Sequence, residues 1–139
     1  MKSKKVLIVD DNDLNRKLFE NLLGQLYQID SANNGLQALE KMEKNPFDLV
    51  LMDIQMPKLD GISTMKRIRR GEQSDTLIVA ITAFADESDR DSFIEMGFDD
   101  FLTKPLDLEH LLLSVRRVIS NRAIRSELQQ FRQLNENYC

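Results

Sequence analysis

Five short apolar runs alternate along this chain with longer segments of helical periodicity. The runs occupy residues 5–10, 28–32, 47–53, 77–82 and 100–103, and the second is the weakest because its apolar residues merely alternate with polar ones. Short apolar runs between helical segments are typical of buried parallel strands in successive βα units. Right-handed crossovers between such strands place helices on both faces of the sheet. We therefore predict an α/β fold, a single doubly wound domain with a five-stranded parallel sheet and five helices.

The helices are predicted over residues 14–23, 36–43, 61–70, 87–96 and 108–120. Acidic and amide side chains before the later helices predict N-caps: Asn34, Asp60, Asp86 and Asp107. Asp11 or Asp13 is predicted to cap the first helix. Glycines after three of the helices predict left-handed C-terminal positions: Gly24, Gly71 and Gly97. One-sided apolar stripes predict the core, with Leu14, Leu18 and Leu22 facing the sheet from the first helix.

Composition limits the classes of function. Lys and Arg total 19 against 23 Asp and Glu, which argues against the broad electropositive surface of a nucleic-acid binder, so we expect no direct nucleic-acid binding. Cys139 is the single cysteine, so no internal disulfide or cysteine metal site is expected. No apolar segment approaches the length of a transmembrane helix and no signal peptide is visible, so we expect a cytoplasmic protein without membrane contact.

Three carboxylates stand at the ends of two predicted strands. Asp10 and Asp11 follow the first apolar run, and Asp53 ends the third. If these strands are neighbours, the acids crowd one sheet edge, where a pair about 4 Å apart repels by roughly 4 kcal/mol at an effective dielectric of 20. Mg²⁺ prefers oxygen ligands and usually takes one or two carboxylates directly. The pattern predicts a site for Mg²⁺, with Mn²⁺ as the alternative ion; a purely capping role would leave the third acid unexplained.

Two further polar residues fall on the same predicted edge. Thr82 ends the fourth strand and Lys104 follows the fifth. A hydroxyl and an ammonium group beside a carboxylate and Mg²⁺ suit a phosphoryl group, because phosphoryl transfer depends on positioning and on neutralising charge. No glycine-rich phosphate loop follows the first strand, so the acid cluster stands where such a loop would lie.

Four motifs at these strand ends resemble the receiver domain of two-component response regulators, which belongs to the chemotaxis-regulator-like superfamily. They are Val-Leu-Ile-Val-Asp-Asp-Asn at residues 6–12, Asp-Ile-Gln-Met-Pro at 53–57 followed by Asp60-Gly61, Ile-Thr-Ala at 81–83, and Phe-Leu-Thr-Lys-Pro at 101–105. The resemblance covers residues 4 to about 120 and implies the strand order 2-1-3-4-5. It implies a domain boundary there, with residues 1–120 as receiver and 121–139 as a C-terminal helical extension or linker.

The resemblance implies a role for each matched residue. Asp53 would be the phosphoacceptor, attacking the phosphohistidine of a histidine kinase or histidine phosphotransfer protein, or a small acyl phosphate. Asp11 and Asp53 would bind Mg²⁺ through their side chains, and Asp10 would do so directly or through water. The remaining implied contacts are the Gln55 backbone carbonyl on the metal, and Lys104, Thr82 and the Ala83 amide on the phosphoryl oxygens. Pro105 would follow a cis peptide bond.

The family's output switch couples Thr82 to the aromatic position on the fifth strand, here Phe101. Phosphorylation would draw Thr82 inward and Phe101 would turn into the space that opens, changing the surface that binds an output protein or domain. Phenylalanine carries no hydroxyl, so we hypothesise that Phe101 acts by burial alone. Gln55 and Phe84 would set the lifetime of the phosphoryl group, and whether Phe84 shields it from water is left open.

Two other classes of function stay open at this point. A Mg²⁺-dependent phosphohydrolase with an aspartyl-phosphate intermediate would need a second acid two residues after the nucleophile, where this chain has Gln55. A receiver used only as an interaction module is disfavoured because the matched acids, Thr82 and Lys104 are all present. The leading prediction is a phosphoacceptor protein that is not a conventional enzyme but catalyses its own phosphotransfer and dephosphorylation.

Beyond residue 120 the chain exceeds what the fold requires. If the last helix continues, one further apolar stripe lies opposite its core face: Ile124, Leu128, Phe131 and Leu134. A frayed polar tail is the alternative. An ordered helix would bring the stripe against a second copy of the chain, giving a homodimer, or against a following domain.

Overall fold

The computed structural model describes residues 4–138 as an alternation of strands and helices. The strands are β1 (Lys5–Val9), β2 (Gln28–Ala32), β3 (Leu49–Asp53), β4 (Leu77–Thr82) and β5 (Asp100–Thr103). The helices are α1 (Asp13–Leu23), α2 (Gly35–Lys44), α3 (Gly61–Arg70), α4 (Arg90–Met96) and α5 (Leu108–Tyr138), with a 3₁₀ turn at Glu87–Asp89 before α4. The described part of the chain contains no helix that is both long and apolar enough to span a bilayer.

The five strands form one parallel sheet in the order β2-β1-β3-β4-β5, which confirms the predicted fold class and strand order. In the register, Val9 lies opposite Met52, Asp53 opposite Ile81, and Thr82 opposite Thr103. The carboxyl ends of four neighbouring strands are therefore level. In an open parallel sheet this edge, near the point where the strand order reverses, is where ligands bind.

Helices cover both faces of the sheet because successive strand residues point to opposite sides. Val6 and Ile8 belong to a core that packs against α1 and α5, whereas Leu7 and Val9 belong to a second core beneath α2, α3 and α4. β3 and β4 are buried along their whole length. Burial on both faces explains why the central strands are nearly continuous apolar runs.

The first helix differs from its prediction in two respects. Its N-cap is Asn12, whose side-chain oxygen accepts a hydrogen bond from the Asn15 amide at 3.0 Å, rather than Asp11 or Asp13. Leu14 is 77% exposed and Leu18 is also exposed, because Phe19 and Leu23 fill the space against the sheet. The prediction was therefore wrong for Leu14 and Leu18, whereas Leu22 is half-buried and packs against the core.

The C-terminal glycines also differ. Gly97 has a φ of 129°, as predicted, but Gly24 and Gly71 have φ values of −63° and −94° and need no left-handed backbone. After α1 the chain continues through a turn in which the Leu26 and Tyr27 amides donate to the Leu23 carbonyl, so no reversal is required at Gly24. The predicted caps Asn34, Asp60 and Asp86 accept hydrogen bonds from helix amides.

Candidate functional site

The carboxylates of Asp10, Asp11 and Asp53 meet at the carboxyl edge of β1 and β3. Each offers one oxygen, and these three oxygens lie within 4.8 Å of one another. Asp10 and Asp53 are 1% and 2% exposed, while Asp11 is open to solvent. Two buried negative charges and one exposed charge at this separation need a cation or a proton to offset their repulsion.

Asp10 leaves one oxygen unpaired. Its Oδ1 accepts a hydrogen bond from the Asn12 amide at 2.9 Å, but its buried Oδ2 has no hydrogen-bond partner among the described residues. The Arg16 guanidinium lies close by and donates to the backbone oxygen of Asp10 at 2.7 Å while pairing with Asp13. Asp10 Oδ2 is therefore a buried acceptor without a donor among the described residues.

Asp53 has partners on both of its oxygens. Oδ1 accepts a hydrogen bond from the Gln55 amide at 3.2 Å, and Oδ2 lies 3.3 Å from Nζ of Lys104. Burial raises the pKa of Asp53; the Lys104 charge opposes this, the Asp10 charge adds to it, and the pKa remains above its ordinary value. The positive charge of Lys104 therefore does not fully compensate the cost of burying the negative charge of Asp53.

The end of β4 positions Thr82 and Lys104 together. The Lys104 amide donates to the Thr82 carbonyl at 2.8 Å, and Thr82 Oγ1 accepts from the Phe84 amide at 3.2 Å. Thr82 is buried, whereas Ala83 and Phe84 are exposed. The Lys104–Pro105 peptide bond is cis. The fold thus gathers the predicted polar residues of four strand ends at one edge.

Comparison with known protein families identifies the family of the chain. The model of the response regulator receiver domain matches residues 6–116. The chain belongs to this family. Receiver domains are the phosphoacceptor switches of two-component systems, and they are not conventional enzymes.

Curated relatives carry the receiver domain in longer proteins. The chain is 40% identical over 108 residues to the signal transduction histidine-protein kinase BarA of Escherichia coli K12, covering 76% of this chain and 12% of BarA. It is 36% identical over 121 residues to the transcriptional regulatory protein CpxR homolog of Haemophilus influenzae, covering 87% of this chain and 52% of that protein. The chain thus spans about half, or much less, of these relatives.

A solved receiver domain has the same fold. The receiver domain of sensor histidine kinase PA1611 from Pseudomonas aeruginosa PAO1, described with a magnesium ion coordinated in its active-site cleft, superimposes with a TM-score of 0.75. The two chains are 33% identical, and the match covers 85% of this chain and 98% of that one.

The donor set of this receiver domain fits a hard divalent cation. Three carboxylates converge, two of them buried, and Asp10 Oδ2 has no hydrogen-bond partner in the part of the chain that the structure describes. Such oxygen-rich, negatively charged sites are those that Mg²⁺ and Mn²⁺ occupy in proteins. Asp10, Asp11 and Asp53 would hold the ion. Gln55 is exposed directly after β3, and a contact of its carbonyl with the metal stays a prediction.

The sequence did not point to a third buried acid, which lies beside Phe101, the predicted switch residue. Asp100, the first residue of β5, is 2% exposed and accepts hydrogen bonds from Ser114 at 2.7 Å and Arg117 at 2.6 Å, both on α5, while also pairing with Arg90 of α4. Burial alone would raise the pKa of Asp100, but the hydrogen bonds from Ser114, Arg117, the Phe101 amide and Arg90 outweigh it and lower the pKa. Asp100 thus ties α4 and α5 to β5.

Phe101 is buried next to this acid. Its ring stacks on Phe93 with a centroid distance of 5.1 Å, and the Arg90 guanidinium carbon lies 4.9 Å from the ring centroid. The stack and the cation–π contact fix the ring from two sides. Any reorientation of Phe101 would therefore also disturb Arg90, one of the partners of Asp100.

A close backbone approach sets the loop that follows Asp53. The Gly61 amide donates to the Ile54 carbonyl at 2.9 Å, and a Cβ added at Gly61 would lie 2.3 Å from the Asp53 carbonyl oxygen and 2.8 Å from the Ile54 Cα. Both contacts involve backbone atoms, which cannot rotate away. Glycine at residue 61 therefore lets α3 start directly against the residue that carries the carboxylate.

We expect Gly61→Ala to destabilise the domain by about 1–3 kcal/mol, the usual cost of overpacking a tight site. The added methyl group would push the start of α3 away from β3 and shift Asp53. Chemical denaturation measures the loss, with Gly71→Ala as the control, since a Cβ there meets only ordinary contacts at 3.6 Å. Equal stability of the two variants would contradict the prediction.

Proposed function

We propose that this receiver domain is a phosphoacceptor switch in a two-component phosphorelay, phosphorylated on Asp53 by a histidine kinase or histidine phosphotransfer protein. The proposal rests on the surroundings of Asp53. Its carboxylate belongs to the acid cluster with Asp10 and Asp11, and it also lies 3.3 Å from the Lys104 ammonium group. A carboxylate flanked by a cation site and by a lysine can accept a dianionic phosphoryl group.

Asp53 is the nucleophile in the proposed reaction. One of its carboxylate oxygens attacks the phosphorus of a phosphohistidine, forming an O–P bond as the N–P bond breaks, and the departing imidazole takes up a proton. The acid cluster orders the carboxylate for this attack. When bound, Mg²⁺ supplies positive charge that offsets the carboxylates and the phosphoryl oxygens.

The residues around Asp53 supply the remaining hydrogen bonds. Lys104 exchanges its contact with the carboxylate for one with a phosphoryl oxygen. Thr82 Oγ1 accepts from the Phe84 amide, which leaves the hydroxyl proton free to donate to the phosphoryl group. Ala83, exposed next in the chain, offers its amide. We infer that a shift of Thr82 toward the phosphoryl group would open space for Phe101 to turn and so change the surface around β5.

The proposed chemistry is tested with acetyl phosphate as donor and intact-protein mass spectrometry as readout. We expect one phosphoryl group on the wild type with Mg²⁺, none with EDTA, and none on Asp53→Asn in either condition. Asp75→Asn, an exposed acid away from the site, should be labelled like the wild type. Labelling of Asp53→Asn at the wild-type rate, or labelling that is independent of metal, would refute the assignment.

A further inference from the structure

The second half of α5 projects beyond the domain. The helix packs on the sheet through Leu111, Val115 and Val118, which are buried. From residue 120 to residue 134 every side chain is exposed. In proteins most helical stability comes from packing of an apolar face, and this half of α5 has no such packing within the domain, so a partner would stabilise it.

The projecting segment carries one apolar face, the C-terminal stripe, formed by Ile124, Leu128, Phe131 and Leu134. These side chains are between 49% and 60% exposed. At about 100° per residue the stripe lies opposite the face of α5 that packs on the sheet. The domain therefore cannot cover the stripe by itself.

We propose that the C-terminal stripe is the contact surface of a parallel homodimer, in which the projecting half of α5 pairs with the same segment of a second copy. Ile124, Leu128 and Phe131 have the 4-then-3 spacing of alternating d and a positions in a coiled coil. Leu134 flanks this seam. The proposal does not depend on phosphorylation of Asp53.

The charges beside the seam select a second copy in parallel orientation. With Leu128 at position a, Glu127 occupies position g and Arg132 the following position e. In a parallel pair these two positions face each other across the interface, so Glu127 of one chain meets Arg132 of the other, twice by symmetry. Neither residue forms an ion pair within residues 4–138 as described.

The antiparallel arrangement is unfavourable for the same reason. There, position e meets position e, and Arg125 would face Arg132. Upstream, position d is Arg117, whose guanidinium is held by Asp100, so the apolar seam begins at Ile124. A seam of this length predicts a dimer that forms with increasing concentration rather than a permanent one.

The position of the stripe leaves the phosphoacceptor site open. Asn121, Arg122 and Arg125 border a small cavity with Leu77, the first residue of β4, so the projecting segment leaves from the amino edge of the sheet. The acid cluster lies at the opposite, carboxyl edge. Two domains joined through the stripe would sit on the outer faces of the helix pair with both sites accessible.

The oligomeric state of the 139-residue chain tests the proposal. Analytical ultracentrifugation over a concentration series should show the mass rising from one chain toward two. Leu128→Glu and Phe131→Glu should remain monomeric at every concentration. Leu14→Glu, which changes a still more exposed leucine on α1, should dimerise like the wild type. Unchanged thermal unfolding in all variants shows that the domain itself is intact, because each replaced side chain is exposed.

Charge reversal and cross-linking test the orientation. Glu127→Arg and Arg132→Glu should each shift the dimerisation curve to at least tenfold higher concentration, and the double variant should restore it. In a Cys139→Ser background, Asn121→Cys should form a disulfide-linked dimer under oxidation, because equivalent a positions meet only in the parallel pair.

Three results would overturn the proposal. A chain that stays monomeric throughout would refute the homodimer. A dimer that persists in Leu128→Glu would place the interface elsewhere. Failure of both the charge swap and the cross-link would exclude the parallel pair.

Discussion

Asp100→Ala is expected to lower the free energy of unfolding by about 3 kcal/mol, near the lower end of the range for breaking a buried ion pair. The carboxylate is buried and is shared by Ser114, Arg117, Arg90 and the Phe101 amide. Its removal takes away the acceptor of Arg117, leaves Arg90 with only Glu87, and opens a cavity between β5 and α5. Both arginine side chains reach solvent, which limits the loss.

Urea denaturation measures this loss, and two controls separate charge from volume. Asp100→Asn keeps the shape and some hydrogen bonds, so it should fall between Asp100→Ala and the wild type. Arg117→Ala should destabilise, whereas the neighbouring exposed Arg116→Ala should not. If Asp100→Ala were as stable as the wild type, the contacts of Asp100 would make no net contribution to the free energy of unfolding.

The same network predicts a pH dependence with a definite sign. The pKa of Asp100 is lower in the folded state than its ordinary value. Its contribution is therefore complete above the unfolded pKa of about 3.9 and is lost as the pH falls through the lower folded value. Comparing acid unfolding of the wild type with that of Asp100→Asn isolates the effect, since the variant should lack this part of the slope.

The sequence predicted the sheet well because its strands are bounded by sharp changes in polarity. Val9 is followed by two acids, and residues 49–52 before Asp53 and 77–81 before Thr82 are all apolar, so the strand ends were placed within one or two residues. Topology then brought the strand-end polar residues to one edge without any knowledge of their side-chain contacts. The unpaired oxygen of Asp10 and the 3.3 Å contact between Lys104 and Asp53 could come only from coordinates.

The errors have physical causes. In α1, Leu18 is adjacent to Phe19 and Leu22 to Leu23, so two apolar stripes with the same period compete, and periodicity cannot tell which one faces the sheet. The larger Phe19 ring fills the interior. Asp100 on β5 contacts Arg90, ten positions before it on α4, and Arg117, seventeen positions after it on α5. Local sequence patterns do not reveal contacts between such separate elements. The structure continues α5 to Tyr138. That residues 121–139 form a unit separate from the receiver domain stays a prediction.

The acid cluster provides the second large effect, a gain in stability from Mg²⁺. A cation that binds only the folded domain adds roughly 2.7 kcal/mol at a concentration one hundred times its dissociation constant. We expect thermal unfolding of the wild type to shift upward with Mg²⁺ and to return to its original midpoint after EDTA. Asp10→Asn should lose most of this response, because a buried carboxylate oxygen without any protein donor is replaced by a neutral amide.

In EDTA the order of stability should reverse, and this reversal separates repulsion from general damage. Asp10 is one cause of the raised pKa of Asp53, so Asp10→Asn removes a repulsion and should unfold at a higher temperature than the metal-free wild type. Because the pKa of Asp53 is raised in the folded state, its ionised form destabilises the fold. The higher unfolding temperature of Asp10→Asn should therefore approach that of the wild type as the pH falls toward the pKa of Asp53. Asp13→Asn, an exposed acid outside the cluster, controls for net charge. If Asp13→Asn changed the unfolding temperature as much as Asp10→Asn with Mg²⁺ and in EDTA, both changes would reflect overall charge. A change confined to Asp10→Asn would show that the acids at the strand ends repel one another in the folded domain and that a bound cation relieves this repulsion.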